Sequence, residues 1–129
     1  PASMMSVFHP PYREVHRDAA LLLGDPRIAV FKGEGGEAER RPEKPCLVQV
    51  LEDGRVLDEE WPALLPDAPT MHDQAMDIGR LAAIWRGETE DAYATATVIG
   101  TTAVALRLLG KGRAYAEAQD VAQEMWKRR

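Results

Sequence analysis

The first thirty-odd residues constrain the fold more than any other part of the chain. Met4 to Phe8 reads as a short strand, cut off by His9-Pro10-Pro11, whose two prolines block a helix until Tyr12 or later. Val15, Ala19, Leu22 and Leu23 then recur at helical spacing, with Arg13, Arg17 and Asp18 on other faces, and Gly24 stands where a helix ends. Asp25-Pro26-Arg27 turns directly into Ile28-Ala29-Val30-Phe31, an apolar run that suits a buried strand. Strand, helix and strand over this length form a βαβ unit, which implies parallel strands and a right-handed crossover.

The remainder is punctuated just as clearly. Arg40-Arg41-Pro42-Glu43-Lys44-Pro45 is polar and proline-rich and reads as a surface loop. Cys46 to Leu51 reads as a strand, Asp53-Gly54 is a strong hairpin signal, and Arg55 to Leu57 supplies a return strand. Three prolines between Trp61 and Pro69 exclude regular structure there and make a semi-rigid connector. Residues 71–129 read as helical. Met76, Ile78, Leu81, Ala82 and Trp85 define one helix, ended near Gly87. Thr89 is the expected cap of the next, in which Ala92, Ala96, Ile99, Ala103 and Leu106 form the stripe and almost nothing opposite is charged, so it is buried nearly all round. Gly110-Lys111-Gly112 breaks it. A last helix runs from about Ala114, with Ala118, Val121, Ala122 and Met125 inward and a basic end at Lys127-Arg128-Arg129. The expectation is one α/β piece over 1–129: a parallel strand-helix-strand unit, a hairpin, and three C-terminal helices covering the sheet.

Composition removes several function classes. A net charge of -5 provides no global basic field toward nucleic acid or anionic lipid. The single cysteine, Cys46, excludes an internal disulfide and a multi-cysteine metal site, and its strand-like setting favours a buried thiol over a nucleophile. This usage fits a reducing cytoplasm. The opening residues lack the basic region and apolar run of a signal peptide. The longest uncharged stretch, Ala92 to Leu106, is shorter than the roughly 20 residues of a membrane span. His9, His16 and His72 form no zinc-binding spacing, and Ser3 and Ser6, the only serines, sit in no nucleophile elbow.

The chemistry-bearing stretch is Lys32-Gly33-Glu34-Gly35-Gly36-Glu37-Ala38-Glu39, at the carboxyl end of the Ile28 strand. That end of a strand is where ligands bind in open α/β sheets. It is neither a Walker loop nor a Rossmann fingerprint, since no Gly-Lys-Ser/Thr follows and no helix begins at the required spacing. Glu34, Glu37 and Glu39 would repel a phosphate unless a metal such as Mg²⁺ intervened. The residues alone leave two readings, a ligand- or metal-binding turn and a solvated acidic one. Basic residues cluster at Arg13 with Arg17, at Lys32 with Arg40, Arg41 and Lys44, and at Lys111 with Arg113. Phosphate-backbone binding would need several of these on one surface; the alternative is surface charge balanced by nearby acids.

In this order the motifs resemble the carboxyl-terminal part of the anthranilate phosphoribosyltransferase family, glycosyl transferase family 3. The quoted features are Phe31 to Glu39, Asp53-Gly54, Trp85-Arg86-Gly87-Glu88, the alanine-rich Ala103 to Leu109 with Gly110-Lys111-Gly112, and the final helix. The resemblance covers nearly the whole chain from about Phe8. It implies a phosphoribosyl diphosphate-binding transferase scaffold, with Lys32, Gly33, Gly35, Gly36, Arg40 and Arg41 toward phosphate and Glu39 toward magnesium. The family's Asp-Glu pair is here Ala38-Glu39, which implies a weakened metal site. The wording around Gly33 to Glu39 looks like a divergent branch outside tryptophan synthesis, some members of which bind nucleic acid. The resemblance further implies a missing amino-terminal part of the same chain, a homodimer in the intact protein and no activity in this piece alone. The alternative is a protein that binds single-stranded nucleic acid through Lys32, Arg40, Arg41, Arg13 and Arg17, without transferase activity.

Overall fold

The structure, a computed structural model, describes residues 1–33, 38–69 and 77–129. Strands β1 (Ser3–Val7), β2 (Arg27–Lys32), β3 (Cys46–Glu52) and β4 (Arg55–Trp61) form one sheet in the order β1-β2-β3-β4. Helix α1 (Tyr12–Leu23) crosses from β1 to β2, which pair in parallel from Ser3↔Ile28 to Val7↔Lys32. The βαβ unit is therefore present. Pro11 stands immediately before the helix, and Gly24 closes it in the left-handed region at φ 75°. β2–β3 and β3–β4 are antiparallel, so the sheet is mixed and the fold is α/β.

The hairpin turn is tight. Asp53 and Gly54 both have positive φ, 50° and 78°, which matches the right-handed twist of the strands they join. The return strand reaches Trp61 rather than stopping at Leu57, because every residue from Arg55 to Trp61 pairs with β3. Residues 62–69 then carry neither strand nor helix. Three helices follow: α2 (Ile78–Trp85), α3 (Ala92–Leu108) and α4 (Tyr115–Lys127). The Asp77 and Asp91 side chains accept from Arg80 N–H and Ala94 N–H at 2.9 Å, capping α2 and α3. Asp91 thus takes the place expected of Thr89, since its carboxylate reaches the third residue onward. Met76 lies outside the described residues.

The sheet has two covered faces. Val7, Ile28, Val30 and Leu51 meet Ala20 of α1 on one. On the other, Ala29, Phe31, Val48, Val50 and Trp61 pack with Ile99, Ala103, Val104 and Leu108 of α3 and with Ala118 and Ala122 of α4. Each large apolar side chain buried there contributes about 1.5–3 kcal/mol. Arg107, late in α3, ties this layer to the hairpin, its Nη2 lying 2.6 Å from Glu59 Oε1.

Three helices turn differently from their sequence stripes. In α1 only Ala20 is buried, while Leu22 and Leu23 are 89% and 80% exposed. In α2 the buried residue is Ile84, not Ile78, Leu81 or Trp85, all exposed. In α4 Ala118 and Ala122 face inward as expected, but Val121 and Met125 are exposed and Gln119 is buried instead. The tight contact behind α4, where small residues permit close approach, selects the alanine face over the bulkier one. α3 follows its reading, with almost every residue from Tyr93 to Leu108 buried or half-buried. α2 leans on α4 rather than on the sheet. Trp85 meets Trp126 edge-on at 5.8 Å, and Arg129 lies over the Trp126 ring while donating to the carbonyls of Ile84 and Trp85. Among the described residues, no helix is long and apolar enough to cross a membrane.

Gly54 meets no atom that a Cβ would touch, so its requirement is purely conformational. Gly54→Ala should cost about 1–2 kcal/mol through the left-handed backbone alone. Urea unfolding followed by circular dichroism measures this.

Candidate anion-binding site

The carboxyl ends of the parallel pair meet the amino end of β3. Gly33 N–H donates to the Val7 carbonyl at 3.2 Å, which carries the ladder one residue past β2. Lys32 follows Phe31 at the rim, its Nζ bonded to the Gly33 carbonyl at 3.2 Å. Cys46 opens β3 beside them and is buried. Burial pushes its thiol up from the ordinary range, opposed by the charges of Arg40 and Arg13 and by the Lys32 backbone N–H. The two opposing guanidinium groups come from different places in the chain, Arg13 in the first turn of α1 and Arg40 in the segment before β3.

Arg40 overturns the reading of residues 40–45 as a surface loop. Arg40 is fully buried, and Pro42 and Glu43 are buried with it. The guanidinium carbon sits 5.4 Å from the Trp61 ring centre and 5.8 Å from that of Tyr115. Its backbone N–H donates to Thr101 Oγ1 at 2.9 Å, and Nη2 donates to the Pro62 carbonyl. A Cβ at Gly100 would stand 2.8 Å from Leu64 Cδ1 and 3.6 Å from Arg40 Nη1, so the glycine makes room for this packing. Leu64 and Leu65 N–H both donate to the Pro42 carbonyl and lay the post-β4 segment over the loop. Burial draws the Arg40 guanidinium down from its usual range, with Cys46 and Tyr115 offsetting part of it. Among the described residues its Nε and Nη1 have no hydrogen-bond partner, nor has Arg13 Nε. Among the described residues no carboxylate pairs with Arg40.

The other expected site residues are distributed around this centre. Arg41 bonds Glu43, Nε to Oε1 at 2.8 Å, while the Tyr93 hydroxyl donates to Glu43 Oε2 at 2.9 Å. Burial raises Glu43, but its own backbone N–H, Tyr93 and Arg41 outweigh that and hold the carboxyl below its usual range. Ala38 and Glu39 are exposed. Gly35 and Gly36, with Glu34 and Glu37, lie outside the described residues. Arg17 bonds Asp18 on α1 at 2.8 Å. Lys32, Gly33 and Arg40 are thus brought to one edge, and Arg41 is paired with Glu43 beside them in sequence. Among the described residues, no three His, Cys, Asp or Glu side chains are placed to hold a metal together. Trp61 and Tyr115 lie against Arg40 although no local motif marks them, whereas Arg13 is expected, with Arg17, only on the nucleic-acid reading. Neither the known protein families nor the curated proteins supply a match to this chain.

Two outcomes follow from this geometry. Arg40→Met removes a buried charge while keeping the volume, so stability should hold or rise, whereas Arg40→Ala should lose about 2–4 kcal/mol to a cavity. Chemical denaturation of both variants separates these effects. Because the folded value of Glu43 lies below its unfolded one, its contribution is present above the ordinary carboxylate range, about pH 4–5, and is lost as pH falls through the folded value. Glu43→Gln should flatten that acid limb in a melting temperature series from pH 3 to 7.

Proposed function

We propose that this chain is part of a glycosyl transferase family 3-like protein that binds a phosphorylated ligand at the carboxyl edge of β1 and β2, outside tryptophan synthesis and in the cytoplasm. The carrying observation is the set of buried guanidinium nitrogens without acceptors among the described residues, Arg13 Nε and Arg40 Nε and Nη1, in two side chains whose charges oppose the rise of the thiol that opens β3. Buried donors need acceptors, and an anionic oxygen is the strongest available. Arg13 offers a direct contact. Arg40 acts from beneath, where a charge in a low-dielectric surrounding reaches further than one in water. Lys32 and Gly33 lie at the same rim. Phosphoribosyl diphosphate is the ligand implied by the sequence resemblance, and the solitary buried thiol agrees with a reducing compartment.

Magnesium has a smaller place in this reading. Glu39 retains one carboxylate at the turn, while Ala38 offers none, so metal would assist diphosphate binding only weakly. Transfer of the pentosyl group would draw on residues of the intact protein, and no catalytic role is given to any residue of this chain.

A nucleic-acid reading has less behind it. Arg41, Arg80, Arg86, Arg107 and Lys127 each lie within ion-pair distance of a carboxylate, which leaves few cations gathered on one open surface.

Isothermal titration of the chain with phosphoribosyl diphosphate, with and without magnesium, should give saturable binding. Arg13→Ala should weaken it by about tenfold to a hundredfold, the worth of a charged hydrogen bond of roughly 1.5–3 kcal/mol. Absence of heat at millimolar ligand, alongside salt-sensitive binding of a fluorescent single-stranded oligonucleotide, would replace this reading with the nucleic-acid one.

A further inference from the structure

Strand β3 carries an amide where its neighbours are hydrocarbon. Leu51 and, on β2, Val30 lie in the apolar layer with Ala20 of α1, whereas Val48 and Val50 lie in the opposite layer. Alternation therefore turns Gln49 toward α1, in the row Met5, Val30, Gln49 and Asp58 that the strand register sets across the sheet. Gln49 is only 4% exposed, and among the described residues its Oε1 is buried without a hydrogen-bond partner. A leucine here would simply extend the apolar layer, while a buried amide oxygen left unpaired is destabilising.

The helix above is equally polar at this level. The buried and half-buried positions of α1 are Arg13, Arg17 and Ala20. Arg17, whose Nε bonds Asp18, also feels the charge of Asp58, the residue paired with Gln49, so the second turn of α1 stands over Gln49. Arg13 stands one turn, about 6 Å, nearer the carboxyl edge of the sheet. Its buried Nε is without an acceptor among the described residues. An unpaired donor and an unpaired acceptor thus share the layer between α1 and β3, one helical turn apart.

We propose that Gln49 determines specificity at the anion site by accepting a hydrogen bond from a hydroxyl of the ligand, so that the site prefers a phosphate ester of a polyol to a phosphate on a plain alkyl chain. The assignment rests on the reading of Arg13 as a phosphate contact. Arg13 holds an anionic oxygen at the rim, and a hydroxyl farther along the ligand reaches inward to Oε1. A phosphate dianion cannot serve both groups, because it offers only acceptors and Oε1 needs a donor. An ammonium is the poorer donor here. The carboxylate opposite Gln49, Asp58, already faces Arg17, and a neutral carbonyl alone does not offset the desolvation of a cation.

Isothermal titration of the wild-type chain with glycerol 3-phosphate and with propyl phosphate, which lacks the hydroxyls, should show about tenfold tighter binding of the first. Gln49→Met, which keeps the side-chain length, should bring both esters to the propyl phosphate value. It should also hold or raise the melting temperature, because it removes an unpaired buried acceptor. A variant that melts lower and keeps the tenfold preference gives Gln49 a purely structural role and overturns the proposal. Equal affinity of the wild type for the two esters overturns it too while leaving the anion reading in place, and this comparison stands whether or not the variant folds. Binding of neither ester overturns both.

Discussion

Strand β2 can exist only if both of its faces are covered, and the rest of the architecture follows from that requirement. Ile28 and Val30 point to one side, Ala29 and Phe31 to the other, and all four are buried. No residue in the run offers a polar face to water. A helix is therefore required on each side, α1 on one and the α3–α4 pair on the other. The same strand pairs in parallel with β1 and antiparallel with β3, so it fixes both the crossover and the place where the hairpin attaches. Its carboxyl end lies beside the end of β1 and the start of β3.

Arg40 occupies that junction at an energetic disadvantage. A buried guanidinium with no carboxylate partner among the described residues loses several kcal/mol of hydration, and contacts with two aromatic rings return only about 0.5–2 kcal/mol each. The surroundings are nonetheless tailored to it, from Thr101 at its backbone to Gly100 beside Nη1. A side chain held in this way fixes the segment after the glycine turn to α3 and to the post-β4 segment.

Much of the fold is legible from local signals because those signals act locally. Pro10-Pro11 and Gly24 delimit α1, and Asp53-Gly54 sets the hairpin, without help from distant residues. What the chain conceals is which way each helix turns. The stripes of α1 and α2 have the right period for burial, yet the sheet accepts Ala20 in one case and Ile84 is the buried residue in the other. Periodicity records that a face is apolar and says nothing of what it meets. The burial of Arg40 was equally hidden, since a cation within a polar, proline-rich run gives no hint that Trp61 and Tyr115, far along the chain, will close over it. Lys32 and Gly33 were readable because the strand itself delivers them to the rim.

The bonds of Arg129 bear on how the molecule opens. An eight-residue helix is too short to persist alone in water, and α2 has little of the sheet to rest against. Its last carbonyls are satisfied from α4's side, through one guanidinium and the Trp85–Trp126 contact. Fraying at the end of α4 therefore releases α2 in the same event. The two segments form one cooperative unit of local unfolding, less stable than the sheet and able to exchange its amide protons while the β2 core stays closed.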